Sequence, residues 1–384
     1  MSLCQRMCTP MLRRSGFASE LVSQGAQKSL QLRATSYRRC EKGFSAMNEI
    51  NRVPLRICVD MGTTNTRLWL VQGGTVLVRY VEERGLRNAV QTADQNVVPE
   101  ILRALIRQAE AAASNLSLKI ECILAAGMLT SPFGLRELPH IAAPAGEEEL
   151  ARAVQRISVP EVSEHAFYLI PGVRTGGVTP KLEELHHIDL IRGEETTVVG
   201  LMLDGVLSRG ATFLNLGSHW KTISIDRHGR IVMSRTTLSG ELIHAIQENT
   251  VLASALPRGR FLTLKSEWFE RGRAYQAKEG LGRSLFGVRL LEQLFRIDAL
   301  EASSFLLGAV IESELEGVQD SAKLGEQIVI GGTGAAAEGW AAVLAEKGKT
   351  CLRCGPEQIE AAFIRGFQRI FQIYSIRNDT RMAN

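Results

Sequence analysis

The chain is 384 residues long, 45% apolar and 22% charged, with 35 Gly and 11 Pro. That is globular composition at a length that suits two domains, and it excludes a disordered, collagen-like or coiled-coil protein. The formal net charge of +4 is unevenly placed: residues 1–46 hold eight Lys and Arg against two acids, a net +6, and the remainder is net −2. Bulk charge therefore gives the body of the protein no reason to bind nucleic acid or a membrane.

The leader, residues 1–46, is rich in Ser, Arg and Gln and has no apolar run long enough for a secretory signal or a membrane span. Its composition fits an organellar transit peptide, sequence upstream of a start at Met47, or a basic arm. Of seven cysteines, three lie in the leader, and the only close pair in the body is Cys351-x-x-Cys354. A single CxxC with no second pair and no paired His reads as two reduced thiols, which suits a reducing compartment such as the cytoplasm.

From residue 55 short apolar runs alternate with helical patterns. Leu55–Asp60 and Thr66–Gln72 flank a Gly/Thr/Asn turn and predict a hairpin. Val97–Ala113 spaces Ile101, Leu102, Leu105, Ile106 and Ala109 as one helix face. Ile120–Ala126 reads as a buried strand ending at Gly127, and Tyr168–Ile170 as a strand stopped by Pro171-Gly172. Glu194–Leu203 predicts a helix with acids in its first turn. Ala211–Asp226 predicts a second hairpin around Gly217-Ser218, followed by a helix over Leu238–Leu252 and an almost wholly helical stretch from Ser284 to Glu316. Gln327–Ile330 reads as a strand running into glycines, and helices follow over Ala335–Glu346 and Glu357–Ile373. One pattern occurs twice: strand, Gly-[Thr/Ser], two residues, strand, at Gly62 and at Gly217, 155 residues apart. The echo predicts two similar α/β halves facing a shared cleft.

Three glycine turns carry the chemistry. In Asp60-Met61-Gly62-Thr63-Thr64-Asn65-Thr66-Arg67 a carboxylate at a strand end precedes a hydroxyl-rich turn. Gly62 lets backbone approach an anion, Thr63, Thr64 and Asn65 supply donors, and Asp60 suits Mg²⁺. A plain tight hairpin is the alternative. In Asn215-Leu216-Gly217-Ser218-His219-Trp220-Lys221 the turn recurs with a cation, Lys221, and a donor, His219. In Ile330-Gly331-Gly332-Thr333-Gly334 a strand meets a helix through glycines, which lets a flat ligand or phosphate lie against backbone and helix N-terminus, although one such turn is common by itself. Between the first two lies Arg192-Gly193-Glu194-Glu195-Thr196, where Glu194 or Glu195 suits a general base. Helix-dipole stabilisation explains the same acids. Arg192 suits a substrate carboxylate or a pairing with Glu183 or Glu184. The segment Ala125–Gly134, with Met128, reads as a pocket-lining loop at a strand end.

Asp60–Arg67, Ala125–Gly134, Ile170-Pro171-Gly172, Arg192–Thr196, Gly217–Lys221, Leu238-Ser239-Gly240-Glu241-Leu242 and Ile364-Arg365-Gly366, in this order, resemble the 2-dehydro-3-deoxygalactonokinase family from about residue 55 to 373. The resemblance implies an actin-like, hexokinase-type α/β fold with two ribonuclease H-like lobes, 47–205 and 206–384, the second with a helical insertion. It implies ATP-dependent phosphorylation of 2-dehydro-3-deoxy-D-galactonate at its 6-hydroxyl, in galactonate breakdown, with ATP and Mg²⁺ as cofactors and no nucleic-acid or membrane partner. A homodimer is compatible with it. By the same likeness Asp60–Thr64 form the first phosphate segment, with Asn65 beside it binding the cofactor and Asp60 as metal ligand and catalytic group. Gly217, Ser218 and Lys221 form the second, and Gly331, Gly332, Thr333 and Gly334 the adenosine segment. Arg192, His219 and Met128 face the substrate, and an acid following a glycine favours Glu194 over Glu195 as base. Met61 stands where the family often has Trp, and His219-Trp220-Lys221 where His-Cys-Lys is frequent. Another acceptor, such as the gluco epimer or an N-acetyl sugar, keeps the same fold. A non-catalytic sugar sensor is disfavoured by the presence of all three acids.

Overall fold

Runs of aliphatic and β-branched residues between turn formers build two large sheets in the computed structural model, which describes residues 53–177, 179, 181–321 and 324–382. The basic leader and its cysteines lie outside the described residues. The first half comprises strands β1 (Leu55–Met61), β2 (Thr66–Gln72) and β3 (Thr75–Glu82), then helices α1 (Leu86–Thr92) and α2 (Val97–Asn115). It continues through β4 (Ile120–Gly127), β5 (Ile141–Ala142), α3 (Glu147–Ala153), β6 (Gln155–Val159), β7 (Ser163–Leu169), β8 (Val173–Thr175), β9 (Asp189–Ile191) and α4 (Glu194–Leu203). The second half holds β10 (Thr212–Leu216), β11 (Trp220–Ile225) and β12 (Ile231–Thr237), then α5 (Ser239–Asn249), α6 (Ser266–Glu279), α7 (Leu281–Leu290) and α8 (Ala299–Ser321). It ends with β13 (Gln327–Gly331), α9 (Ala335–Glu346), β14 (Thr350–Cys354) and α10 (Pro356–Met382).

The strand orders are β3-β2-β1-β4-β7-β6 and β12-β11-β10-β13-β14, with β5, β8 and β9 in a small third sheet. In each large sheet three strands meander antiparallel and two further strands add parallel beside the first, and in the first sheet β6 closes the far edge antiparallel to β7. This is the ribonuclease H-like plan, and two copies of it give the actin-like, hexokinase-type fold that the resemblance implies. Glycine turns and acids thus gather at the C-terminal ends of β1, β4, β10 and β13, where open parallel sheets present their crevices.

Strand alternation decides which face holds the site. On β1, Ile57, Val59 and Met61 pack under α2, whereas Cys58 faces a central core between the two sheets. On β10, Leu214 and Leu216 pack under the second lobe's helices, whereas Phe213 joins the central core. Asp60 and Asn215, each two residues further along, extend that central face. Helices α4 and α10 fill the same core and cross at glycine. A Cβ on Gly200 would lie 1.7 Å from the Ala362 carbonyl oxygen, and one on Gly366 1.9 Å from that of Thr196. Arg365 reinforces the crossing by a pair with Asp204 at the end of α4, and Arg369 ties α10 to α3 by a two-pronged pair with Glu147.

One expectation needs correction. The helix expected over Ser284–Glu316 is broken: α7 runs into a π-turn at Leu291–Phe295, and Arg296 takes a left-handed φ of 56°. Asp298 and Glu301 then exchange main-chain to side-chain hydrogen bonds of 2.8 and 3.0 Å, a reciprocal cap that restarts the chain as α8. Cys351 and Cys354 lie on strand β14, where an odd spacing turns them to opposite faces. All four described cysteines are free thiols.

Candidate active site

Asp60 pairs with Arg67, directly opposite it in the β1–β2 register, at 3.0 Å from Oδ2 to Nη1. Its other oxygen is wrapped by backbone. A Cβ on Gly127 would stand 2.9 Å from Oδ1, and one on Gly193 3.7 Å. Both glycines take positive φ, 77° and 102°, so the ends of β4 and the start of α4 bend closely around the carboxylate. Burial, with the nearby Glu194 charge adding to it and Arg67 opposing, lifts the Asp60 carboxyl to about 6.

The two adjacent acids diverge. Glu195 is fully buried and folds back so that both its oxygens accept the Gly193 N–H at 2.8 Å. Burial and the neighbouring Glu194 charge push its carboxyl up to about 8, which leaves it protonated at neutral pH. Glu194 turns toward the second lobe: its Oε1 lies 2.9 Å from Lys221 Nζ and 3.5 Å from Asn215 Nδ2. Its Oε2 is buried with no hydrogen-bond partner. Asn215 and Lys221 face each other across β10–β11 as Asp60 and Arg67 do across β1–β2.

The Gly62 N–H closes the first turn on the Asn65 carbonyl at 2.8 Å, and the Asn65 side-chain amide reaches the Thr64 hydroxyl at 3.3 Å. Carbonyls of Gly62 and Thr63 accept the Leu86 and Arg87 N–H groups at 3.1 and 2.9 Å. In the second turn the Ser218 carbonyl accepts the Glu241 N–H at 2.7 Å. Neither Gly62 nor Gly217 has a positive φ, and a Cβ on Gly217 would meet only the His219 carbonyl at 3.7 Å. The protein itself does not require glycine at 217; the space beside the turn is what a side chain would fill. The third segment adjoins the second, because Gly332, at φ 149°, packs against Leu216. Gly334, at φ 80°, lies under the Phe261 carbonyl, which accepts the Ala335 N–H at 3.0 Å, and Arg260 reaches Thr333 Oγ1 at 3.3 Å.

Arg192 does not pair with Glu183 or Glu184. Its guanidinium donates to Thr130 Oγ1 at 2.6 Å and to the Leu138 carbonyl at 3.1 Å, and faces His140 Nδ1 at 3.3 Å. Burial together with the charges of Arg192 and Arg174 lowers His140 to about 4, so the imidazole is neutral and accepts at Nδ1. Met128 begins the short 3₁₀ turn Met128–Thr130 that carries Thr130. His219 is engaged by Glu241 at 3.0 Å. Sequence reasoning missed His140 and Leu138, which lie in no motif. It also missed Gly85 and Gly240, whose Cβ atoms would strike the Gly62 and Gly217 carbonyls at 2.6 and 2.3 Å. These two repeat the 155-residue offset of Gly62 and Gly217, which is the signal that would have found them.

Among the described residues no three His, Cys, Asp or Glu side chains gather as a metal cage. Magnesium held mostly by phosphate oxygens and water needs only one or two carboxylates. Asp60, with Oδ1 among glycines, fits that requirement. Among the described residues no helix is long and apolar enough to cross a membrane.

The sequence profile of 2-keto-3-deoxy-galactonokinases matches residues 60–370. The 2-dehydro-3-deoxygalactonokinase of Escherichia coli K12 is 24% identical over 273 residues, 69% of this chain and 80% of that protein. A Sinorhizobium meliloti protein assigned as a 2-dehydro-3-deoxygalactonokinase superposes with a TM-score of 0.63 at 21% identity, covering 82% of this chain and 99% of that one.

Proposed function

The chain belongs to the 2-keto-3-deoxy-galactonokinase family, and from that premise we propose that it transfers the γ-phosphoryl group of ATP to the 6-hydroxyl of 2-dehydro-3-deoxy-D-galactonate. The observation that carries this reading is Glu194, a carboxylate at the meeting point of both lobes with one oxygen held by Lys221 and the other unclaimed. In this role Glu194 Oε2 accepts the proton of the attacking hydroxyl, while Lys221 and Asn215 fix its direction. Glu195, clamped to Gly193 and protonated, shapes the start of α4 instead. The turns at Gly62–Asn65 and Gly217–Ser218 take the phosphates on their N–H and hydroxyl groups, and Gly331–Gly334 backs the adenosine. Asp60 is the residue that would hold Mg²⁺, which when bound neutralises charge on phosphoryl oxygens. Arg192, oriented by Thr130, Leu138 and His140, serves the sugar-acid carboxylate beside Met128. The lobes 47–205 and 206–384 bring these groups together, so catalysis is mostly positioning. The setting is cytoplasmic breakdown of galactonate.

A coupled ADP-release assay on purified protein tests this, with 2-dehydro-3-deoxy-galactonate and its gluco epimer offered separately. Turnover favouring the galacto compound is expected. Nucleotide binding without turnover of either compound overturns the reading.

A further inference from the structure

A second side-chain network crosses the cleft. Arg87, at the start of α1, places Nη2 2.6 Å from Oε1 of Glu241, at the start of α5. Glu241 Oε2 stands 3.0 Å from His219 Nε2, which donates because a carboxylate only accepts. Main-chain bonds tie each member to a glycine turn: the Arg87 N–H to the Thr63 carbonyl and the Glu241 N–H to the Ser218 carbonyl, with His219 inside the second turn. The Arg87, Glu241 and His219 side chains keep 28%, 36% and 25% of their surface, so a solute entering between the turns reaches all three. Glu241 thus sets a carboxylate between two cationic or donor groups, midway between two turns with the geometry of anion cradles. A polyphosphate lying across those turns meets like charge in Glu241 and opposite charge in Arg87.

We propose that Arg87 is a further ligand for the terminal phosphates of the nucleotide, held on Glu241 in the ligand-free protein and passed to phosphate when nucleotide binds. The assignment rests on the kinase reading and adds to it a cation from the first lobe that faces the second turn. Glu241 is a positioning residue: it aims the guanidinium across the cleft and is displaced by a stronger, multidentate anion.

Titration calorimetry of the full chain with a non-hydrolysable ATP analogue, AMP-PNP with Mg²⁺, and separately with AMP, tests the exchange. Arg87→Ala is expected to weaken AMP-PNP about ten- to a hundredfold, the loss of a charge-assisted contact, and to leave AMP within about twofold. Arg87→Lys should recover part of the loss. Glu241→Gln should bind AMP-PNP at least as tightly as the parent, since a competing anion is gone. Unchanged AMP-PNP affinity in Arg87→Ala overturns the proposal. So does equal weakening of AMP and AMP-PNP, or an equal loss in Glu241→Gln, because each describes a clasp that only holds the lobes. A loss confined to titrations with the sugar acid reassigns Arg87 to the substrate carboxylate and also overturns it. AMP-PNP binding that depends on Arg87, in a protein that turns over neither sugar acid, sinks the substrate reading alone; no AMP-PNP binding by the parent chain sinks both.

Discussion

Successive residues of an α-helix point about 100° apart, so the two acids that open α4 enter different surroundings although they are chemically alike. Glu195 meets the N–H of its own cap and apolar packing; Glu194 meets Lys221 and the cleft. The residues alone left the proposed base open between these two, and only the family resemblance favoured Glu194, because the choice depends on which way the helix start is turned. Their difference has a consequence for stability. The Glu195 carboxyl lies at about 8 in the folded chain and near the ordinary glutamate value of 4.5 when unfolded. Between those values the folded state holds a proton that the unfolded state has lost, so stability falls as pH rises from about 4.5 to about 8. Glu195→Gln should flatten that part of the stability curve, read by denaturant unfolding at several pH values; an unchanged slope would show that Glu195 does not carry it. Asp60→Asn should abolish turnover and leave the circular dichroism spectrum intact. Near-parental activity in that variant would remove Asp60 from the proposed site.

At the scale of elements, the hairpins, α2, β4, β13 and α9 were legible because their apolar periods are long and bounded by turn formers. The exposed strand β3 was not, since one of its edges is open and its alternation is weak: Val76, Leu77 and Val81 all remain more than a third exposed. The break before α8 was written in Asp298-x-x-Glu301, a reciprocal cap hidden inside an apolar stretch. The crossing of α4 and α10 depends on long-range contact and could not be read from either helix alone. It gives a direct prediction. Gly200→Ala forces a methyl group against the Ala362 carbonyl and should cost about 1–3 kcal/mol of stability. Gly282→Ala, on the exposed start of α7 with nothing within 4 Å, should be neutral or stabilising by up to about 1 kcal/mol. Equal midpoints for the two variants in thermal unfolding would contradict the close-crossing account.

Across the whole molecule the 155-residue echo is physical rather than textual. It pairs Asp60 with Asn215, Gly62 with Gly217, and Gly85 with Gly240, in lobes whose sheets share one strand plan. The pairs are alike in backbone and differ in side chain where chemistry demands it. An acid with an Arg stands opposite an amide with a Lys, so the first half offers the carboxylate that we propose for magnesium and the second a cation for Glu194. The +4 net charge has no part in this arrangement, because all of the excess lies in the leader and the cleft uses only a few cations. In the proposed reaction one acid, Glu194, takes the proton while its neighbour only shapes the helix start. The direct measurement is the rate of ADP release with 2-dehydro-3-deoxy-galactonate and Mg²⁺-ATP for the parent chain, Glu194→Gln and Glu195→Gln. Glu194→Gln is expected to lose about a hundred- to ten-thousandfold in kcat while Glu195→Gln stays within a few fold of the parent. Parental turnover by Glu194→Gln, or collapse of Glu195→Gln alone, would contradict it.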